Sequence, residues 1–428
     1  MMFYLICCLE TFCSDDDRKD DSNGNYCICF YGKFTHIDEI NENSFLSSKL
    51  DVDTIFKNIY YKLNHIIQQQ PNSLLNIKIT ILPDFFVDRI IKISNMNYLA
   101  DAVEKKIKVG GGSIRGLNSV DIKGGNAVNV AYCLARLGVK VDLFTVADEV
   151  GCSILDTVFK KFSSQVRLHV KNGKHGLTTI FEFTDSSFSV SNVMLSDVGD
   201  NSNFGPESIE SANDGGGGVD DVLSVLSSSS AVVLTNWASN LKGTDLMEYV
   251  FENSANSLHF LDPADITERR DEFIRDMKNH SKLIDLLSIN ENELLQVMCA
   301  LSNTGDMVPI SLDKGKNDSI TPFNLCKYAM FLSSLFEINL CIHTMIGSVW
   351  SDGCKTVFVN SIPPSKINIV SGAGDSWDSA FLFGHLRDFT DEERLCFANL
   401  FAFLYLENVY NDAPSLFDIV NYICNYYF

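Results

Sequence analysis

Positive charge is what this sequence lacks most. Its 428 residues carry 34 Lys plus Arg against 55 Asp plus Glu, a formal charge of −21. That is the wrong sign for a protein whose affinity comes from neutralising nucleic-acid phosphates, so DNA and RNA are not expected as main partners. Long apolar runs are missing too: no stretch approaches the roughly 20 apolar residues that span a bilayer, and no membrane association is expected. Although there are 13 cysteines, none forms a C-x-x-C pair and no histidine spacing matches them. Neither a zinc site nor a secreted disulfide framework is expected, and a reducing, cytoplasmic location fits. The opening MMFYLICCLETFC is apolar but has no basic start and runs into Asp15, Asp16 and Asp17, which argues against a secretion signal.

A hydrophobic fraction of 46% and a charged fraction of 21% are those of an ordinary globular chain with a real core. Residues 1–75 look unlike the rest. A Cys-rich start, the acidic run SDDDRKDDSNGN and an amphipathic helix over Val52 to Gln70 read as an extension, partly disordered or helical. From Asn76 the β-branched run NIKITIL signals a buried strand, so the main domain is expected over 76–428. GGNAVNVAYCLARLG followed by VKVDLFTVADEVG reads as a glycine-started helix closed by Gly138 and then a strand, one repeat of a parallel sheet. Strand candidates recur at AVVLTNW, LHFLDP, LIDLLSIN and INLCIHT, mostly separated by helix-length segments. The expected fold class is therefore α/β, a doubly wound, mostly parallel sheet flanked by helices. LTTIFEFTDSSFSVSNVML alternates with period two and has no helix inside it, which predicts a small antiparallel β flap. The Gly, Ser and Asp-rich stretch at about 207–230 predicts a flexible insertion.

Two segments carry chemistry. In INIVSGAGDSWDSAFLFGHL the positions Trp377, Ala380, Phe381 and Gly384 share one helical face, so a helix should begin near Gly374. Gly372, Ala373 and Gly374 then lie at its N-terminus, where unpaired N–H groups converge on an anion. Asp375 in that first turn is explained blandly as a cap, but beside small residues and converging donors it can also accept a hydroxyl proton. In GGNAVNVAYCLARLG, close helix packing accounts for Ala127, Ala131 and Ala135. It leaves Asn126 and Asn129 unexplained, two amides able to bind a polyol. Asp88 lies beyond the first strand, where an open parallel sheet binds its ligand and a carboxylate can take vicinal hydroxyls. Alone it would read as a solvated loop charge.

Together these two segments resemble the signature motifs of the ribokinase-like (PfkB) carbohydrate and nucleoside kinases, in that family's order. GGGSIRG, NWASN, DPADITERR and INENE are also similar to it, especially to its archaeal-type sugar kinases. The resemblance spans residues 76–428. It implies transfer of the γ-phosphate of ATP to a hydroxyl of a sugar or sugar-like small molecule, with a nucleoside or sugar-phosphate acceptor, or ADP as donor, as the alternative. Asp375 would be the base, Gly372, Ala373 and Gly374 the anion hole, and Asp88, Gly125, Asn126 and Asn129 the acceptor contacts. Asn290 and Glu293 match an N-x-x-E element that organises Mg2+ and the nucleotide phosphates, Glu293 acting through metal-bound water. Without the family, those two would read as a helix cap. The resemblance further implies a β lid at about 91–117 and 165–198, through which a homodimer would form.

Three departures stand out. Asn368, Ile369, Val370 and Ser371 precede G-A-G-D where the family often has Asp or Thr. HTMIGSVWSDG is not a clean T-x-G-x-x-G nucleotide element, and Gly347 is its residue expected at the cofactor. Position 126 is Asn where ribokinases proper commonly carry Lys. A catalytically silent sugar- or nucleotide-binding relative is the competing reading. A dinucleotide oxidoreductase is disfavoured, because GGGSIRG lacks the G-x-G-x-x-G spacing.

Overall fold

The computed structural model describes residues 27–31, 48–68, 77–93, 96–184, 190–212, 219–303, 320–409 and 412–428. Its strands are β1 (Cys27–Tyr31), β2 (Ser48–Leu50), β3 (Lys78–Leu82), β4 (Phe86–Ile93), β5 (Asn118–Gly124), β6 (Lys140–Ala147), β7 (Val166–Asn172), β8 (Gly176–Thr184), β9 (Val190–Asp197), β10 (Ala231–Thr235), β11 (Leu258–Asp262), β12 (Leu286–Asn290), β13 (Asn339–His343), β14 (Gly347–Ser351) and β15 (Lys355–Asn360).

Eleven strands form one sheet in the order β2-β1-β15-β14-β13-β12-β11-β10-β3-β6-β7. From β13 to β7 every neighbouring pair is parallel, and β14, β15, β1 and β2 continue it as an antiparallel meander. Side chains alternate between two cores, as a sheet covered on both faces requires. Ala231 and Val233 turn to one core, Val232 and Leu234 to the other. That double burial is why AVVLT reads as a continuous apolar run, and the doubly wound expectation holds.

The lid is a four-stranded sheet in the order β5-β4-β8-β9. Its outer pairs are antiparallel, but β4 and β8 run parallel. Its extent differs from the expected one. Val166, Leu168 and Val170 pack on the main core, so β7 belongs to the main sheet and the lid's second part starts at Gly176. The first part includes Phe86 to Ile93, which the expected 91–117 mostly left out.

Part of the segment set aside as an extension is built into the body. β1 pairs with β15, and the Val52–Gln68 helix buries Phe56, Ile59 and Leu63 in the same core as the Asp391–Glu407 and Leu416–Tyr427 helices. Phe56 stacks on Tyr427 at 4.3 Å and Lys62 reaches Glu393 at 2.6 Å. The acidic run at 14–25 lies outside the described residues. The 207–230 insertion is largely helical where described, with helices at Pro206–Ser211 and Val219–Ser227 that bury Ile209, Val222 and Leu226. Residues 213–218 lie outside the described residues.

Candidate active site

Parallel strands deliver their C-terminal ends to one edge of the sheet, and the site forms there. Asp84 follows β3, Asn236 follows β10, and Asp262, Asn290 and His343 end β11, β12 and β13. Two helix N-termini meet them. The Asn126–Arg136 helix starts after Gly125 and the Ala373–His385 helix after Gly372.

Neither helix is capped by its own side chain, and each solves the problem differently. Asp84, 1% exposed, accepts from the Asn126 and Ala127 N–H groups at 2.8 and 2.9 Å. It also accepts from Thr235 Oγ1 at 2.8 Å and Asn236 Nδ2 at 3.0 Å. This carboxylate, borrowed from another strand, fixes the direction in which Asn126 and Asn129 project. Gly125 has φ +89°, and a Cβ there would lie 2.7 Å from Asp84 O, so only glycine admits this approach.

At the other helix the Ala373 N–H bonds Val370 O at 3.2 Å and the Ser376 N–H bonds Gly372 O at 2.9 Å. The N–H groups of Gly374 and Asp375 have no acceptor among the described residues. They are orphan donors of a first turn, ready for an anion. A Cβ on Gly374 would come 3.1 Å from His343, and one on Gly372 2.7 Å from the Tyr405 hydroxyl, so both glycines keep a crowded loop passable.

Asp375 does not act as a cap. Its Oδ2 accepts from Asn129 Nδ2 at 2.8 Å, while Asn129 Oδ1 accepts from Lys123 Nζ at 2.8 Å. Asp375 is 7% exposed, and burial together with the nearby Asp262 pushes its carboxyl well above the ordinary range. Asn126 Nδ2 donates to Asp262 Oδ2 at 3.2 Å, and burial raises Asp262 to about 6. Asp88, facing inward from β4, is raised by burial to about 6, with the neighbouring Thr178 and Ser371 pulling the other way. Its carboxyl fills the space that a Cβ on Gly124 would take. The structure therefore brings Asp88, Asn126, Asn129, Asp375 and the 372–374 loop to one place.

Asn290 and Glu293 form the capping box that sequence alone suggested. Glu293 accepts from Asn290 N–H at 2.8 Å and Asn290 Nδ2 at 2.7 Å, and Asn290 Oδ1 accepts from Glu293 N–H at 3.1 Å. Burial and the charge of Asp262 push Glu293 well above its usual value. Asp378, raised by burial and Asp262 and bonded by Ser288, lies one turn beyond Asp375. Among the described residues no three acidic, His or Cys side chains are grouped to hold a metal directly. Crowded carboxylates of this kind suit a hydrated Mg2+, which keeps most of its water. Gly347 is accounted for by packing, since a Cβ there would meet Val359 O at 2.4 Å. Asp84, Lys123, Asp262 and Asp378 escaped the sequence reading. An Asp at the end of an apolar strand, in ILPDFF or LHFLDP, was the signal for two of them.

The same architecture occurs in solved structures. Adenosine kinase from Sinorhizobium meliloti shares 18% identity at a TM-score of 0.59, covering 82% of this chain and 98% of that one. The chain has the ribokinase-like fold. A probable sugar kinase from Rhizobium etli gives 16% identity and a TM-score of 0.60, covering 82% and 98%. Ribokinase of Arabidopsis thaliana, solved with ribose and ATP, gives 16% and 0.56, covering 82% and 99%. No protein-family model matches the sequence, and no curated protein matches it. No helix among the described residues is long and apolar enough to cross a membrane.

Proposed function

We propose that this chain is a kinase that moves the γ-phosphate of ATP to a hydroxyl of a sugar or sugar-like small molecule. The observation that carries the reading is Asp375: it stands in a first turn without a side-chain cap, is held by Asn129, and its own N–H and that of Gly374 have no acceptor among the described residues. Asp375 takes the acceptor's hydroxyl proton, and the turn of Gly372, Ala373 and Gly374 receives the phosphate as its charge spreads in transfer, through the N–H groups of Gly374 and Asp375 because that of Ala373 is held by Val370 O. Asp88, Asn126 and Asn129 bind the remaining hydroxyls, with Gly125 setting the approach. Asn290 and Glu293 would hold Mg2+ through its water. The ion would supply charge neutralisation at the phosphates. Burial holds the His343 imidazole down to about 4, so a neutral ring lines the phosphate side and does not add charge there.

A nucleoside acceptor is the second reading, favoured by one feature. The register places Ile90, Ile122 and Ile180 on the same lid face as Asp88. That apolar shelf suits a base beside a hydroxyl-binding carboxylate. The neighbours, which include a sugar kinase and an adenosine kinase, support either. On the opposite lid face Leu177, Val193 and Leu195 are exposed, and a homodimer through the lid would cover them. The kinase reading is tested by coupled turnover on a panel of sugars, sugar phosphates and nucleosides, with Mg2+ and with ATP or ADP. Turnover on one class names the acceptor. Binding without turnover on every one would establish a silent relative instead.

A further inference from the structure

Lys123 has no part in the chemistry described so far, yet it touches the residue that touches the base. Its ammonium carries only donors, so the Asn129 oxygen must face it and the Asn129 NH2 must face Asp375. The distances agree, at 2.8 Å for both contacts. We propose that Lys123 is a positioning residue that locks the Asn129 amide and keeps Asp375 ionised as the base. The proposal rests on the kinase reading of this site and adds a residue to it.

Two physical effects act in the same direction. An amide NH2 can only donate, and an ionised carboxylate can only accept, so the locked amide favours the ionised form. Freed from Lys123, the amide could turn and present its oxygen, which favours the protonated acid. The second effect is charge. Asp375 is faced by Asp262 from β11 and by Asp84 after β3, which oppose its ionisation, and by Asp378 on its own helix, whose ionisation Asp375 opposes in turn. Lys123, from β5, is the cation that counters them. The neutral groups nearby are Cys133, whose thiol burial pushes up to about 12, and Tyr405, whose phenol burial likewise raises.

The lysine is itself held in place. Its Nζ lies 4.6 Å from the centre of the Tyr132 ring, and Asp88, Asp375 and Asp412 all favour its charged form. Burial works against them and holds the ammonium below its ordinary value. Such a half-buried lysine, bonded to Asn129, is an unusual choice for packing alone, since a methionine would fill the same space under Tyr132 without a charge.

The test compares wild type with Lys123→Met and Lys123→Arg in the full chain. On whichever acceptor turns over, Lys123→Met moves the acidic limb of the kcat/KM profile to higher pH by about one unit, the shift expected for losing an opposite charge at this range. It lowers kcat at neutral pH more than it changes KM, and Lys123→Arg restores the limb. Independently of turnover, carboxyl-carbon NMR of 13C-Asp-labelled protein reads Asp375 directly, its signal assigned by its loss in Asp375→Asn. That carboxyl titrates at higher pH in Lys123→Met. An unmoved limb and an unmoved carboxyl signal overturn the proposal while leaving the kinase reading intact. A moved carboxyl signal with no turnover on any acceptor upholds the role of Lys123 and removes the kinase reading. If Lys123→Met does not fold, Lys123→Gln gives the same comparison with a neutral polar chain.

Discussion

Replacing Asp84 by alanine removes one side chain and strands three donors. The Asn126 and Ala127 N–H groups and the Asn236 amide lose their acceptor in a buried place, while the Thr235 hydroxyl keeps Leu82 O at 3.0 Å. A buried donor left unpaired costs about 1–3 kcal/mol. Loss of a helix cap alone costs about 1 kcal/mol. Against this, Asp84 opposes ionisation of Asp88, Asp262 and Asp375, so its removal relieves repulsion, and water in the vacated space re-pairs some donors. The balance is a loss of about 3–5 kcal/mol, of the size seen when a buried polar network is broken. Asp84→Asn keeps one acceptor oxygen and should lose roughly half as much on the same reasoning. Equilibrium urea unfolding checks both through the midpoint at constant slope. The same variants should raise the KM for the acceptor, because Asn126 and Asn129 project from the helix that Asp84 holds. A midpoint for Asp84→Ala within the reach of about 0.5 kcal/mol of wild type, the range of an ordinary surface change, would refute this account of how the helix is started.

Further outcomes follow from the same contacts. Gly372→Ala places a Cβ 2.7 Å from the Tyr405 hydroxyl at φ +82°, and should abolish turnover while global unfolding changes modestly. Leu63→Ala should cost about 2–5 kcal/mol in urea unfolding, as for any fully buried leucine, because the Val52–Gln68 helix belongs to the core. The folded-state value of Asp88 is raised from 3.8 to about 6, so the native protein holds more protons than the unfolded chain in that window and Asp88 weakens folding as pH rises through it. Asp88→Asn should therefore gain stability relative to wild type between about pH 4 and pH 6 and hold that gain above, read from urea midpoints across that range.

The parts of the site legible in the sequence were those written locally. G-G-N-A-V-N and S-G-A-G-D each place their polar groups within one helical turn, so spacing alone puts Asn126, Asn129 and Asp375 at helix starts. What stayed hidden depends on partners far along the chain. Nothing beside Asp84 in the chain shows its role, because its donors come from the residues just after Gly125 and from the end of β10 and the residue that follows it. Lys123 sits in an alternating strand, where nothing local marks its ammonium as bound for Asn129. The Val52–Gln68 helix was visible from its apolar face, but its docking against Phe397 and Ile419 in the same core was not. Likewise the period-two flap was legible, whereas the parallel joining of β4 to β8 is fixed only by the chain returning from β7.

Asp375→Asn reads the role of this carboxylate alone, with acceptor binding and turnover measured on the same preparation. The side chain keeps its size, and an amide can still meet Asn129, but it cannot take a proton. Acceptor affinity should stay close to wild type while kcat falls by about a hundredfold to ten-thousandfold, the usual contribution of a general base. Turnover preserved in Asp375→Asn would contradict that role.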